Sequence, residues 1–310
     1  MAGAFTHICL VNEVLNRIRE LPENNFPEEI KDHLIANKHF LELGSVAPDY
    51  PLLDYKNTDS ENWSGCMHAV STGDFLQVGA FRARKMGNPI RGKYIAWFLG
   101  YLSHYTADVC LHPIVEKLVG HYYDGNQVAH RECEMYQDVY IVKKKRGQEL
   151  IEAEILDESI LKCSESENRS FLDIQIKMVW QELLATVYNQ YSYTSKPEID
   201  RWHSKYLFKI DRLAEEGSQI FGFAWLLNHF GLAYPWSTDK KDKFLQNLPS
   251  PDPNISVSFD QAFEKTVQHC LENFISFSNY ISGQYPRITA RFGDYSMDSG
   301  MDKNGKFLYW

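Results

Sequence analysis

Residues 94–118 read YIAWFLGYLSHYTADVCLHPIVEKL. Aromatic and aliphatic side chains fill every turn of this stretch, and no cluster of turn-forming residues interrupts it, so it reads as one long helix buried on all sides. Within its apolar run, before Glu116 and Lys117 near the end, the ionisable histidines and carboxylate are His104, Asp108 and His112, and they stand four residues apart. On a helix that spacing sets all three along one face, about a turn apart each. From composition alone, with 11 His and 41 Asp plus Glu, about 0.05 such triplets are expected by chance. An ionisable group is rarely placed in apolar surroundings unless it is paired or bound to a metal, so Asp108 demands a compensating charge.

The flanking sequence repeats the same logic. His130 and Glu134, again four apart, sit on a second helix that begins near Gln127. Zinc accepts such nitrogen and oxygen donors at about 2.0–2.2 Å. Upstream, Ile8, Val11, Leu15 and Ile18 recur at helical steps and carry His7 in the first turn of a helix over 6–20. A second helix is predicted over 31–43. Gly44, Pro48 and Pro51 then put Asp49 on a loop, and His68 falls at the start of a helical pattern over 66–85. Long helical patterns follow over 171–191, 198–231 and 258–283, with a proline-containing loop at 234–257. Few segments alternate with strand period. The expected fold is all-α, a single multi-helix domain over 1–285 with a C-terminal tail at 286–310 that the pattern does not assign.

Composition narrows the class. The chain has 310 residues, 44% hydrophobic and 24% charged, which is ordinary for a folded globular protein. A net charge of -9 disfavours non-specific attraction to nucleic acid or to an anionic membrane. The best apolar run, IAWFLGYL at 95–102, is far short of the ~18 residues of a membrane span, so no transmembrane segment and at most transient membrane contact are expected. The first residues lack the basic start of a signal peptide, and six cysteines stand without paired spacing, which together point to reduced thiols in a cytoplasm. His33, His39, His121, His203, His229 and His269 lack partners of the kind described above and read as structural or solvated. The basic run Lys143 to Arg146 reads as a solvated helix end or loop.

Taken in order, Thr6-His7, Asp49 in GSVAPDYP, His68 in MHAV, His104, Asp108 and His112 in GYLSHYTADVCLHP, and His130 and Glu134 in HRECE resemble the ligand series of the zinc-dependent phospholipases C. The fungal single-strand-specific zinc nucleases are structural relatives of that family. The resemblance covers roughly residues 1–140 by motif. It implies one zinc at Asp49, His68, His104 and Asp108, and a second at His112, His130 and Glu134. A third would be held by His7, a bridging Asp108, and the backbone amine and carbonyl of the first residue, Met1 or Ala2. Two to three zinc ions are therefore expected.

Clustered zinc suits phosphate-ester hydrolysis, because such ions stabilise developing negative charge and make hydroxide available near neutral pH. Asp49 is the expected catalytic residue, orienting or deprotonating the attacking water. Tyr50, directly after it, matches the aromatic residue that the lipase relatives set beside a quaternary ammonium head group, a cation held on a ring face. The expected substrate is a phospholipid or another small phosphodiester, with no obligatory nucleic acid. Two alternatives stay open. A zinc nuclease would need aromatic platforms, for which Trp63, Tyr101, Tyr105, Tyr122 and Tyr123 are available. A non-catalytic zinc protein would close every coordination position.

Overall fold

The fold is known from a computed structural model, which describes residues 3–22, 25–54, 57–150, 157–192, 194–216, 235, 238 and 241–310, the side chains of 123, 157, 158 and 209–216 excepted. Its axis is the helix anticipated from the apolar stretch. This helix, α6, runs Arg91–Val119 and buries almost its whole length from Tyr94 to Val115. It stops at Gly120, whose φ of 92° lies in the left-handed region.

Around it stand α1 (Ala4–Glu20), α2 (Glu28–Ala36), α3 (Lys38–Gly44), α4 (Thr58–Ala69), α5 (Thr72–Lys85) and α7 (Gln127–Arg146). The short α8 (Asp157–Ile160), then α9 (Ile174–Val187), α10 (Asn189–Ser192), α11 (Ile199–Glu216) and α12 (Phe259–Ile281) complete the helical shell. The fold is all-α in character. Among the described residues the only paired strands are two-residue segments, Leu248–Pro249 against Ser256–Val257 in antiparallel register.

Several predicted boundaries shift for local reasons. The helix predicted over 31–43 is two helices broken at Asn37, whose side chain turns back to donate to the His33 carbonyl. Asp49 lies not on an open loop but within a 3-10 helix, Ala47–Leu53, which tolerates Pro48 in its first turn. His68 is in the last turn of its helix rather than the first. The polar stretch before it is itself helical, because the Asn57 side chain caps α4 by accepting from the backbone of Asp59 and Ser60. The pattern over 171–191 divides at Tyr188 into α9 and α10. Of the pattern over 198–231, α11 accounts for the first part; residues 217–231, with His229, lie outside the described residues.

One crossing positions the centre of the molecule. A side chain added at Gly44 would lie 2.0 Å from the Trp97 carbonyl oxygen, and one at Gly100 would lie 2.1 Å from that of Leu41. Helices α3 and α6 therefore touch backbone to backbone, which no residue larger than glycine permits at this distance. That contact carries the chain straight from Gly44 into Ser45 and the 3-10 helix, so Asp49 is delivered to the flank of α6 beside His104. The tail shares the same core, since Met297 and Leu308 are buried in its main cluster.

Candidate metal centre

All eight residues of the expected ligand series are buried, with relative exposures from 0% to 4%, Asp49 being the most exposed. They come together as three groups whose ligand atoms lie within 4.8 Å of one another: His7, His104 and Asp108; Asp49, His68 and His104; and His112, His130 and Glu134. Asp108 faces two ways. Its Oδ1 is 3.3 Å from His7 Nε2, and its Oδ2 is 3.1 Å from His104 Nε2 and 3.9 Å from His68 Nε2. Asp49 Oδ1 is 3.2 Å from His68 Nε2 and 4.0 Å from His104 Nε2, and His112 Nε2 is 3.8 Å from Glu134 Oε1.

Each element supplies its ligand for a local reason. Helix α1 is anchored at its start by Asp138 of α7, whose Oδ1 accepts from the Thr6 amide at 2.7 Å and the Thr6 hydroxyl at 2.6 Å. A carboxylate at a helix N-terminus meets the unsatisfied amides and the positive end of the dipole. His7, the next residue, is thereby fixed against α6, its ring stacked on that of His104 with centroids 4.0 Å apart.

The remote nitrogens of the histidines decide what the near ones can do. His104 Nδ1 is 2.8 Å from the Ser45 carbonyl oxygen, His68 Nδ1 2.8 Å from that of Ser64, His112 Nδ1 2.8 Å from that of Asp298, and His130 Nε2 2.5 Å from that of Gly120. A carbonyl only accepts, so each of these nitrogens carries the proton, an assignment made from the partner. In the neutral ring the other nitrogen is then a bare lone pair. For His68 and His104 that lone pair faces carboxylate oxygens, acceptor against acceptor. Such an arrangement repels unless protons or a cation lie between. The Nε2 atoms of His7, His68 and His104, Nδ1 of His130 and Oδ1 of Asp49 are buried and make no aligned hydrogen bond.

Zinc fits this gap. Four tetrahedral ligands at about 2.0–2.2 Å from a zinc ion stand about 3.3–3.6 Å from one another. The separations of 3.1–4.0 Å within these groups bracket that value. Imidazoles whose second N–H is held by a backbone carbonyl are the usual form of zinc-ligating histidine.

Electrostatics without a metal tell the same story. Burial pushes the Asp108 carboxyl toward its neutral form, but the charges of His104 and His7 outweigh that and hold it well below the usual range. Asp49 is likewise lowered, burial being overcome by His104 and His68. His68 is raised to about 9, because Asp49 overrides the effect of its burial, whereas burial and the neighbouring His104 lower His7. The carboxylates thus draw positive charge into the cluster from whatever source is nearest.

The residue profile of the zinc-dependent phospholipase C family matches residues 6–190, more than half of the chain and a range that spans all eight residues described above. The chain belongs to this family. No curated protein and no solved structure matches it. Family membership and the three His-carboxylate groups together support a zinc-dependent hydrolase, with phospholipid as the class of substrate the family's name implies.

Tyr50 stands apart from the ligands. Its ring is fully buried, stacked on Tyr206 at 5.5 Å between centroids, and its hydroxyl is 3.0 Å from His203 Nδ1. This placement leaves the head-group role expected for Tyr50 without an open ring face. Trp63, Tyr101 and Tyr105, three of the aromatic residues a base-stacking surface would use, are also core residues. Tyr122 lies edge-on to His130, 5.4 Å between centroids. Residues 1 and 2, expected at a third ion, lie outside the described residues.

Two features escaped the sequence reading. Arg131 is buried with Nη1 2.9 Å from Glu134 Oε2; burial disfavours its charge, but Glu134 more than offsets this and raises its pKa. Its neighbour His130 advertised a ligand pair, while Arg131 resembled any helical arginine. Backbone carbonyls that orient the histidines carry no signature at all in sequence. No helix among the described residues is long and apolar enough to cross a membrane, and all six cysteines are buried and unbridged.

Proposed function

We propose that this protein is a zinc-dependent phosphodiesterase that hydrolyses a phospholipid, releasing its phosphorylated head group, with two to three zinc ions at the three groups described above. The observation that carries the reading is the convergence of neutral imidazole lone pairs and carboxylate oxygens in one buried cluster, at the spacing that tetrahedral zinc requires. His112, His130 and Glu134 would hold one ion; Asp49, His68, His104 and Asp108 a second; His7 and Asp108 a third. When bound, zinc supplies positive charge for the phosphoryl oxygens and lowers the pKa of water.

The chain's own residues do the rest. Asp49 retains the largest exposure of the eight, 4%, and is our choice for the group that orients the attacking water and takes its proton. Asp108 and Glu134 keep the cluster from excess positive charge. Arg131 holds Glu134 Oε2, which leaves Oε1 facing His112. The carbonyls of Ser45, Ser64 and Gly120 fix three of the imidazole tautomers. No covalent intermediate is required, because water can attack in line.

Turnover of phosphatidylcholine vesicles and of single-stranded DNA should be measured on the same preparation, before and after chelation, and again after zinc is restored. Lipid hydrolysis that vanishes on chelation, returns with zinc and exceeds DNA cleavage is expected. Equal rates with and without chelator would overturn the zinc reading, and faster DNA cleavage would overturn the lipid.

A further inference from the structure

The family match ends at residue 190, yet a loop a hundred residues farther on reaches the centre. From Gly293 to Asp302 the chain meets the end of α4, the start of α5 and the flank of α6 from Tyr105 to Pro113. Its start is pinned by the Thr72 hydroxyl, which donates to the carbonyls of Gly293 and Tyr295 at 3.3 and 2.8 Å, and by Tyr105, whose hydroxyl donates to Gly293 at 3.0 Å. Asp294 Oδ1 accepts from the Gly73 amide at 2.9 Å. Next along the chain, the Met297 amide donates to the backbone carbonyl of His68 at 2.7 Å, and the Asp298 carbonyl accepts from His112 Nδ1 at 2.8 Å. One loop thus bonds to ligand residues of two of the three groups.

Its height above α6 is set at Gly300. There φ is 71°, and an added Cβ would lie 2.4 Å from Pro113 Cγ and 2.6 Å from the Val109 carbonyl oxygen. Pro113 has no amide to give Val109, so the helix surface at that turn lacks one backbone bond and the loop settles onto it. Gly305, in the same tail, has φ of 73° but nothing within 4 Å of an added Cβ. The two glycines share a left-handed φ and differ in what lies beneath.

We infer that the 293–302 loop is a positioning element of the metal centre, the Asp298 carbonyl fixing the tautomer and direction of His112 so that its Nε2 lone pair faces Glu134. Removing an outer partner of this kind typically weakens metal binding about 10–100-fold. The inference rests on the zinc reading proposed above, and its test separates the two.

Zinc stoichiometry and competition titration against a chromophoric chelator should be run on the full chain, on Gly300→Ala and on Gly305→Ala. Both substitutions put an alanine at a left-handed φ, but only Gly300→Ala lifts the loop. Gly300→Ala should weaken its last-filled zinc site about 10–100-fold, while Gly305→Ala should bind as the parent does. In the parent, nitrogen-15 spectra should show a downfield, slowly exchanging His112 Nδ1 proton that Gly300→Ala loses. Thr72→Val, which removes one of the two hydroxyls that tie the loop down, should weaken the same site in the same direction and keeps the test decisive if Gly300→Ala does not fold. A parent that binds no zinc would overturn the zinc reading. A parent that binds zinc, with Thr72→Val and any folded Gly300→Ala binding as tightly as Gly305→Ala, would overturn the positioning role alone.

Discussion

His104 on α6 and His203 on α11 are both completely buried histidines on helices, yet their surroundings dispose of the ring nitrogens in opposite ways. His203 is satisfied at both: Nδ1 is 3.0 Å from the Tyr50 hydroxyl and Nε2 2.9 Å from the Ser164 hydroxyl. A hydroxyl can donate or accept, so a neutral ring fits both of these partners. His104 gives one nitrogen to a carbonyl and turns the other on two carboxylates. Burial and helical context are the same in the two places. What separates the two histidines is whether the second nitrogen meets a group of the same polarity.

The largest consequence should follow from breaking the His104 side of that comparison. His104→Ala should reduce phosphodiester hydrolysis by about 1,000-fold or more, equivalent to about 4 kcal/mol of lost transition-state stabilisation, and should lower zinc stoichiometry in the same preparation. His203→Gln should leave both within a few-fold. Metal analysis beside initial-rate measurements reads both variants, and undiminished zinc and rate in His104→Ala would remove the site assignment.

Removing the metal is a milder form of the same perturbation. Without a cation, Asp49, Asp108 and Glu134 remain buried beside one another's ligands, and a binding site filled at 100–1,000 times its Kd contributes about 3–4 kcal/mol to stability. Urea unfolding with and without chelator should therefore differ by at least about that amount in the parent, one such contribution for each site filled. The difference should shrink in His104→Ala and persist in His203→Gln. Coincident curves for the parent would contradict a zinc contribution to folding.

The candidate ligands in this comparison could be named from sequence and the His203 network could not, for a physical reason. Candidate ligands on one helix sit at helical spacing, so His104, Asp108 and His112, or His130 and Glu134, mark themselves by ionisable groups recurring every four residues. The long axis of the fold was legible for the same reason, as an unbroken apolar helix. The His203 network instead joins Tyr50, Ser164 and His203, three positions with no common period. The crossing of Gly44 and Gly100 was equally silent, since an isolated glycine reads as a breaker until its neighbour across the helix is known. Carbonyls such as those of Ser45 and Asp298 belong to every residue alike.

The satisfied site has its own pH signature. Burial pushes His203 down to about 4 from an ordinary value of 6.5. Above pH 6.5 the ring is neutral whether the chain is folded or not, so it contributes no pH dependence there. As pH falls from 6.5 toward 4, the unfolded chain takes up the proton that the folded one refuses, and stability is lost, by about 3 kcal/mol over the window. Below about 4 the loss levels off. His203→Gln should flatten this limb relative to the parent when unfolding free energy is measured across pH 4–7, and parallel curves would mean that His203 is not held neutral.

The smallest effect tests Tyr50, which adjoins the first site in sequence but belongs to the second in space. Its backbone follows Asp49, while its hydroxyl belongs to His203 and its ring to Tyr206 and Trp180. Tyr50→Phe keeps the ring and removes one hydrogen bond from a buried imidazole nitrogen. That should cost about 1–3 kcal/mol of stability, the penalty for leaving a buried polar atom unsatisfied. The parent and Tyr50→Phe should then be compared for KM on phosphatidylcholine and on a phospholipid without a quaternary ammonium. A ring buried against Tyr206 has no face to give a head-group cation, so the ratio of the two KM values should be unchanged by the substitution. A rise confined to the choline lipid would return Tyr50 to the substrate side, and would require the Tyr206 contact to open when lipid binds.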